Sequence, residues 1–313
     1  MVTVVGIAGS YKAVNFISES IRQGGDVFYD VLSTNDPIVK DADAFVQTNM
    51  LKPKFATSDK SGPYEYILQS KKPFLVNESP SFRRYAQITT HKRYGWYSYK
   101  WTDGIFGNEN SPPDRWNKFQ KETNIQLQDW KSPGDKIIIM GQKEGDSSLM
   151  PLYENGYTCF REWVQEIVDE IRKYTDREII VRPHPRNLRA GMKGAHAIKG
   201  KNVTVSDNIK IGDIQDGPQG GKGLEADLKQ AHCVITFNSL SAVESVCDGI
   251  PTFTLDNGSM AWPVGHKDLS QIENLNYNID RTQWCYDIAY TQWNNKECKS
   301  GEAWAHLKPL VFR

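Results

Sequence analysis

The chain has 313 residues, enough for two domains at the usual size of roughly 100 to 200 residues each. Lys and Arg together number 38, as do Asp and Glu, so no net charge attracts the protein to nucleic acid or to an anionic membrane. The hydrophobic fraction of 39% suits a packed globular protein, and no apolar run approaches the roughly 20 residues that span a bilayer.

The first part of the chain alternates short apolar runs with helical stretches. Four β-branched or aromatic runs are predicted strands: 3–10, 26–32, 43–49 and 72–78. Helices are predicted up to about Arg22 and over 64–70, so the alternation indicates βα units and a parallel sheet. Residues 79–135 are rich in aromatics, Gly, Pro and Asn without a clear period, and we interpret them as functional loops and short elements that lie over the first domain.

A second series of the same kind begins near residue 134. Its predicted strands are 135–142, 177–181, 202–207, 232–237 and 250–255. A helix is predicted over 159–174 because apolar residues recur at helical spacing: positions 160, 163, 164, 167, 168 and 171. The sequence therefore predicts an N-terminal domain over 1–133 and a second domain over 134–280. The segment 281–313 is predicted to pack back across the cleft as helices over 281–293 and 301–307.

The N-terminus and the cysteines indicate the compartment. The chain begins directly with a strand-like run and lacks a basic region followed by a long apolar region, which predicts a cytoplasmic protein. Its five cysteines are spread widely without a C-x-x-C pair, so buried thiols are predicted rather than a disulfide framework or a zinc site.

Two polar segments follow predicted strands of the second series, RPHPR (182–186) and NSLS (238–241). Their candidate ligand-binding residues are Arg182, His184, Asn238, Ser239 and Ser241. In open parallel sheets ligands bind beyond the carboxyl ends of the strands, and the free N–H groups at a helix N-terminus favour phosphate. The segments therefore predict an anion site. In the alternative, Ser239 is only an N-cap and Glu244 lies on a solvated helix face.

The two segments together resemble the donor half of GT-B glycosyltransferases, which are α/β enzymes with two facing Rossmann-like domains and parallel sheets. The resemblance rests on His-Pro after one strand and Ser-x-Ser after a later one, with Glu244 and Gly249-Ile-Pro behind it. It implies that His184 and the serines hold the phosphate of a nucleotide sugar and that Glu244 contacts the ribose. As a proton donor, His184 would also assist the departing phosphate.

A longer succession of segments extends this resemblance. The segments are NESPSFRR (77–84), SYKWTDGIFGNENSPPDRW (98–116), IIIMGQKEGDSSL (137–149), RPHP and TFNSLSAVESVCDGIP (236–251). In this order they are similar to the capsule polysaccharide Kdo transferase family of Gram-negative bacteria. They are also similar to phage-encoded glycosyltransferases that act on hydroxymethylated pyrimidines in DNA, such as arabinosyl-hydroxymethylcytosine transferases. The resemblance implies a glycosyltransferase, but AWPVG (261–265) replaces the capsule family's Gly-Trp-Gly, so Kdo is not implied as the sugar.

Glycosyl transfer needs a carboxylate near the anomeric carbon, acting as a nucleophile or as a base. Glu78 and Asp103 are the predicted catalytic residues; the alternative is that each pairs with a neighbouring arginine. Where the capsule family has Glu-Asp-Gly, this chain has Glu78-Ser79-Pro80, so Glu78 is the nearest carboxylate.

The donor is predicted to be a UDP- or CMP-linked sugar. Gln142, Asp146 and Ser147 follow the first strand of the second domain and are predicted to contact its phosphate or sugar. No metal and no further cofactor are predicted, because the phosphate site lacks a D-x-D pair.

The acceptor is predicted from residues 81–101, which hold five Lys or Arg, seven aromatics and no acid. Cationic and aromatic side chains together favour phosphates and unstacked bases. The predicted DNA-binding residues are Arg83, Arg84, Lys92, Arg93, Trp96, Tyr97 and Trp101. The preferred acceptor is thus 5-hydroxymethylcytosine in phage DNA, modified in the cytoplasm of the host. Three alternatives are a surface glycan acceptor, an aromatic-rich core in this window, and a non-catalytic nucleotide-sugar or nucleic-acid binding module. The oligomeric state is left open.

Overall fold

The computed structural model describes residues 1–7, 12–48, 62–82, 91–97, 107–189, 198–209 and 222–312. The strands are β1 (Thr3–Ile7), β2 (Val27–Val31), β3 (Ala44–Thr48), β4 (Phe74–Glu78), β5 (His91–Tyr97), β6 (Lys136–Met140), β7 (Ile179–Arg182), β8 (Val203–Val205), β9 (Ala231–Thr236), β10 (Thr252–Thr254) and β11 (Gln292–Asn294). The α-helices are α1 (Lys12–Gln23), α2 (Ile38–Asp41), α3 (Gly62–Ser70), α4 (Asp114–Thr123), α5 (Met150–Glu154), α6 (Phe160–Ile171), α7 (Pro185–Arg189), α8 (Lys222–Leu228), α9 (Ser241–Cys247), α10 (Thr282–Ala289), α11 (Asn295–Lys299) and α12 (Glu302–Leu307).

The first sheet has six strands in the order β11-β5-β4-β3-β1-β2. β1 to β4 are mutually parallel, as their βα pattern predicts, whereas β5 runs antiparallel to β4 and β11 antiparallel to β5. β5 and α4 are short elements within 79–135, where the sequence predicts short elements but not their positions or types. The sequence HKRYGWY of β5 has no apolar alternation that would have indicated a strand.

The second sheet has five strands in the order β10-β9-β6-β7-β8 and is entirely parallel, as predicted. Its central strands are covered on both faces, which explains why they are continuous apolar runs. All six apolar positions predicted for α6 are buried. The amphipathic stripe therefore lies against the sheet as the spacing indicates.

The C-terminal segment returns to the first sheet. α10 ends at Ala289, so the predicted helix over 281–293 is wrong for β11, where Trp293 pairs with Lys92 of β5. α11 and α12 pack against α1. The Trp304 indole N–H donates to the Asp26 carboxylate at 2.8 Å. Residues from both ends of the chain thus build the first domain.

One apolar cluster joins the first sheet to α9 of the second domain and to the C-terminal segment. It joins Phe45 and Val76 of the first sheet to Val243 and Val246 of α9 and to Trp284 of α10. α9 also packs against β9 and β10, so it lies between the second sheet and this cluster. Among the described residues, no helix combines the length and the apolar character needed to cross a bilayer.

Candidate functional site at the edge of the second sheet

The order of the second sheet reverses between β6 and β9. β6 is followed by β7 and β8 on one side and by β9 and β10 on the other. Such a switch point leaves a crevice at the carboxyl ends of the two central strands, where ligands of open α/β sheets bind. Gln142, Asn238 and Ser239 lie in the loops that follow these strands, Ser241 begins α9, and His184 follows the neighbouring strand β7.

Gln142 and Asn238 form a buried amide pair across the switch point. The Gln142 Nε2 donates to Asn238 Oδ1 at 2.8 Å, and the Asn238 backbone N–H donates to Gln142 Oε1 at 2.9 Å. Because both polar atoms of the Gln142 amide are engaged, this side chain links the loop after β6 to the loop after β9. Gln142 lies at the sheet edge where the sequence predicts it, but its side-chain amide makes hydrogen bonds to Asn238.

Asp256 belongs to this network and was not among the predicted residues. Asn238 Nδ2 donates to Asp256 Oδ1 at 2.7 Å, and the Gly258 backbone N–H donates to the same oxygen at 3.0 Å. Burial raises the pKa of the Asp256 carboxyl. Its sequence signal is that it directly follows the predicted strand 250–255, as Asn238 directly follows the predicted strand 232–237. Asp146, by contrast, accepts from the backbone N–H and the hydroxyl of Ser148.

Ser239 and Ser241 place two hydroxyl groups at the start of α9. The Ser241 hydroxyl donates to Ser239 Oγ at 2.9 Å, and the Ser241 backbone N–H donates to the same oxygen at 3.3 Å. Ser239 lies one position before the N-cap residue of the helix, Leu240, so the alternative prediction that Ser239 is the N-cap is wrong by one residue. The other half of that alternative is wrong, because Glu244 is buried, with 7% of its surface exposed.

Arg182 is occupied by a buried ion pair. Its guanidinium pairs with Asp227 of α8, a fully buried carboxylate, and donates to the Gly223 carbonyl at 3.2 Å. Asp227 also accepts from Ser206 Oγ at 2.7 Å and from Asn208 Nδ2 at 2.6 Å. Arg182 therefore attaches α8 to the end of β7, and we leave it out of the phosphate site that the sequence predicts.

His184 is half-buried and precedes α7. Its Nδ1 accepts the Arg186 backbone N–H at 3.1 Å, so the neutral ring carries its proton on Nε2. Gly141 allows this loop to lie close to the end of β6. A Cβ at Gly141 would lie 2.7 Å from the Arg182 carbonyl oxygen and 2.9 Å from the His184 nitrogen. The glycine and the His-Pro segment are thus packed as one unit.

The facing edge of the first sheet holds Glu78, the predicted catalytic carboxylate. Glu78 is half-buried at the end of β4, in register with Arg93 of β5. Asp103 lies outside the described residues, as do the segments after β1 and β3, 8–11 and 49–61. The structure therefore places one of the two predicted carboxylates at this edge.

The seven predicted DNA-binding residues divide into three groups: two that pack inside the protein, one that is half-buried and four whose side chains the structure does not describe. Arg93 is buried and donates to the sulfur of Met260 at 2.6 Å, and the Trp96 indole donates to the Leu307 carbonyl at 2.7 Å under the C-terminal segment. Both side chains pack inside the protein, as expected if residues 81–101 form an aromatic-rich core rather than a DNA-binding surface. Lys92 is half-buried. The remaining predictions concern residues or side chains outside the described part of the chain: Arg83, Arg84, Tyr97, Trp101 and, in the donor site, Ser147.

Solved structures share this architecture. The Thermosulfurimonas dismutans KpsC structure described as a beta Kdo 2,7 transferase matches with a TM-score of 0.55 and 11% identity, covering 97% of this chain and 99% of that one. The beta Kdo 2,4 transferase of KpsC from the same organism matches with a TM-score of 0.52 and 14% identity, covering 91% and 89%. A scan against protein-family models and a search of curated proteins return no match. The chain therefore has an α/β fold of the GT-B type, as the sequence predicts.

Proposed function

We propose that the protein is a glycosyltransferase that moves a sugar from a nucleotide sugar to a hydroxyl group. The observation that carries this proposal is the crevice at the switch point of the second sheet. There, two serine hydroxyls follow β9, one of them donating to the other, and the half-buried His184 follows β7 at the same edge of the sheet. Fold likeness at 11% identity contributes the architecture alone.

In this proposal the donor phosphate lies at Ser239 and Ser241, within reach of His184. The leaving phosphate gains negative charge as the sugar bond breaks, and preorganised hydrogen-bond donors stabilise that charge. Neutral hydroxyl and imidazole groups serve this purpose without a metal ion. Gln142, Asn238 and Asp256 act indirectly, since their hydrogen bonds fix the loops that carry the donors.

Glu78 is the proposed carboxylate at the sugar, as the nucleophile or as the base on the acceptor hydroxyl. It belongs to the first domain, whereas the phosphate site belongs to the second, so the reaction takes place between them. Replacing Glu78 with Gln is expected to abolish transfer and to leave nucleotide binding intact. Unchanged turnover would remove Glu78 from the mechanism. Loss of nucleotide binding as well would make its role structural.

The acceptor has two proposed forms. Hydroxymethylcytosine in DNA is the form that the sequence favours, and among the described residues its support now rests on Lys92. A glycan hydroxyl is favoured by the placement of Arg93 and Trp96, which pack inside the protein rather than on a surface for bases.

Nucleotide release tests the proposal. The protein is incubated with UDP- and CMP-linked sugars and with either hydroxymethylated DNA or an oligosaccharide, and free nucleotide and the mass of the acceptor are measured. We expect acceptor-dependent release that falls about 100-fold or more in the His184→Ala variant. A Ser270→Ala variant, which changes a half-buried serine of the same domain whose hydroxyl donates to Asp268, serves as the control. No release with any donor and acceptor would contradict the proposal, and the acceptor that gains mass decides between the two forms.

A further inference from the structure

The C-terminal end of α9 is attached to residues 124–135, which connect α4 of the first domain to β6 of the second. The Gln128 backbone N–H donates to the Cys247 carbonyl at 2.9 Å. The Lys131 N–H donates to the Gly249 carbonyl at 2.7 Å. Gly249 has a φ of 78°, and a Cβ there would lie 2.0 Å from the Asp129 carbonyl oxygen. The two backbones are therefore in direct contact, with no space for a side chain between them.

Arg281 links this end of α9 to the same connecting segment. Its Nη1 donates to the Val246 carbonyl at 2.6 Å, and its Nη2 donates to the Gln128 carbonyl at 2.7 Å. The guanidinium also lies over the Trp130 ring, 3.9 Å from the ring centroid. Val246 belongs to the last turn of α9, where carbonyl groups lack a partner within the helix and the helix dipole favours a positive charge.

Arg281 is a buried charge without an acidic partner. Only 6% of its surface is exposed, so it cannot contact the donor or the acceptor. Within the described part of the chain it makes no ion pair, and its hydrogen bonds go to the two backbone carbonyl groups. Because burying an unpaired charge costs free energy, stability alone does not explain an arginine at this position. Its hydrogen bonds join two backbone segments.

The segment that follows Arg281 leads back to the first domain. Arg281 directly precedes α10, which packs against α4. The Asp287 carboxylate of α10 accepts the Ser111 backbone N–H at 2.8 Å. The Trp284 indole of the same helix donates to the Met260 carbonyl of the second domain at 2.8 Å. Arg281 is therefore attached to the first domain through α10 and to the second domain through α9.

The opposite end of α9 carries the proposed phosphate site. Ser241 is the first residue of this helix, which ends at Cys247 and is therefore only about 10 Å long. Val246, near its other end, belongs to the apolar cluster that also contains Val76 of β4. Val76 and Glu78 lie on the same face of β4, two residues apart. One cluster thus extends from the strand that carries Glu78 to the helix that carries Ser241.

We propose that Arg281 is a positioning residue for the transfer, holding the serine hydroxyls of the second domain at a set distance from Glu78 of the first. The inference rests on the proposed function and adds a residue that acts on the reaction only through α9. A reaction between two domains requires the phosphate site and the carboxylate to be aligned, and a misplacement of about 1 Å can lower the rate roughly 100-fold. In the proposed function the nucleotide phosphate is held by the second domain alone. Arg281 therefore affects the rate of transfer and leaves nucleotide affinity unchanged.

Separate measurements of kcat and of nucleotide binding test this inference. Arg281→Met keeps an apolar side chain against Trp130 and removes both hydrogen bonds. We expect its kcat for transfer to fall about 30-fold, while the Kd of UDP or CMP, measured by calorimetry, changes by less than about twofold. Arg281→Lys keeps the charge and a hydrogen-bond donor without the planar fork, so its kcat should fall only about threefold.

Arg172→Met is the matched control. The Arg172 guanidinium also donates to backbone carbonyl groups, but all of them lie within the second domain: Thr175, Lys201 and Asn202. The variant loses the same kind of hydrogen bond without releasing a contact between the domains. Its kcat and its nucleotide affinity should both equal those of the unmodified protein.

The failures of the two proposals can be told apart. An unchanged kcat in Arg281→Met would overturn the inference while the proposed function stands. Equal losses of kcat and nucleotide affinity would also overturn it, because Arg281 would then maintain the fold of the second domain. If Arg281→Met does not fold, Arg281→Lys decides by the same criterion. If the unmodified protein transfers no sugar, the proposed function fails and the inference with it.

Discussion

The two sheets of this protein are built by different rules. The second sheet is parallel throughout, and each of its strands belongs to a βα unit that is continuous in sequence. The first sheet is completed by β11, whose Trp293 pairs with Lys92 of β5, far earlier in the chain. The comparison shows that the local sequence pattern of each βα unit determines the second domain. The first domain also requires strand pairing between residues that are distant in sequence. The stability of the two domains should therefore respond to different substitutions.

Replacing Trp304 with Ala should have the largest effect, and it should fall on the first domain. Trp304 is 1% exposed and its indole donates to Asp26. We expect the free energy of unfolding to fall by up to about 5 kcal/mol, because a large cavity forms and a buried hydrogen bond is lost. Hydrogen exchange would measure the effect, with amides of the first sheet losing protection and those of the second sheet retaining it.

Leu32→Ala is the control for this variant, because Leu32 is 86% exposed. Its effect should be about 0.5 kcal/mol or less. If Trp304→Ala reduces the protection of both sheets equally, the C-terminal segment stabilises the whole chain rather than completing the first domain.

Replacing Asp227 with Ala should have the next largest effect, and it should fall on the second domain. The change leaves the Arg182 guanidinium buried beside α8 without its carboxylate. We expect a loss of about 3 kcal/mol in the free energy of unfolding, measured by urea denaturation. Asp176→Ala is the matched control, because its pair with Lys201 is exposed and is worth at most about 1 kcal/mol. Equal losses in the two variants would contradict the assignment of Arg182 to a structural ion pair.

Acid should weaken the contact between the first sheet and the C-terminal segment by a smaller amount. Burial, aided by the charge of Arg115, lowers the pKa of His306 from 6.5 to about 4. The folded state therefore binds fewer protons than the unfolded state, and stability is lost as the pH falls from about 6.5 towards 4. After allowance for partial exposure, we expect a loss of about 2 kcal/mol.

The midpoint of thermal unfolding at pH 7 and at pH 5 measures this effect. His306→Gln retains a hydrogen-bonding side chain for Asn108 but does not titrate. The variant should lose less stability than the unmodified protein between the two pH values. His91 and His266 provide a background common to both proteins, since burial lowers the pKa of each. Identical losses would remove His306 from the acid response.

The sequence predicted elements whose pattern is local. The apolar run of β6 and the apolar stripe of α6 each indicate which of their residues are buried. The structure confirms both elements and their buried residues. β5 and β11 have no such pattern, because a basic and aromatic heptapeptide and a tripeptide become strands only by pairing with each other and with β4. That pairing depends on contacts that are distant in sequence.

The same limit applies to the site. RPHPR and NSLS were located because they follow strands, and the structure places His184, Ser239 and Ser241 at one sheet edge. The partners of Arg182 and Gln142 were missed, since Asp227 and Asn238 lie 45 and 96 residues further along the chain. Residue type therefore indicates the carboxyl edge of the second sheet as the site. Tertiary contacts determine which polar groups at that edge remain available to a ligand.

A crystal structure of the protein with CMP or UDP would test the central proposal most directly. We predict a nucleotide at the carboxyl edge of the second sheet, with its phosphate hydrogen-bonded to the hydroxyls of Ser239 or Ser241 and to Nε2 of His184. A nucleotide bound to the first domain, or one whose phosphate contacts none of these three side chains, would contradict it.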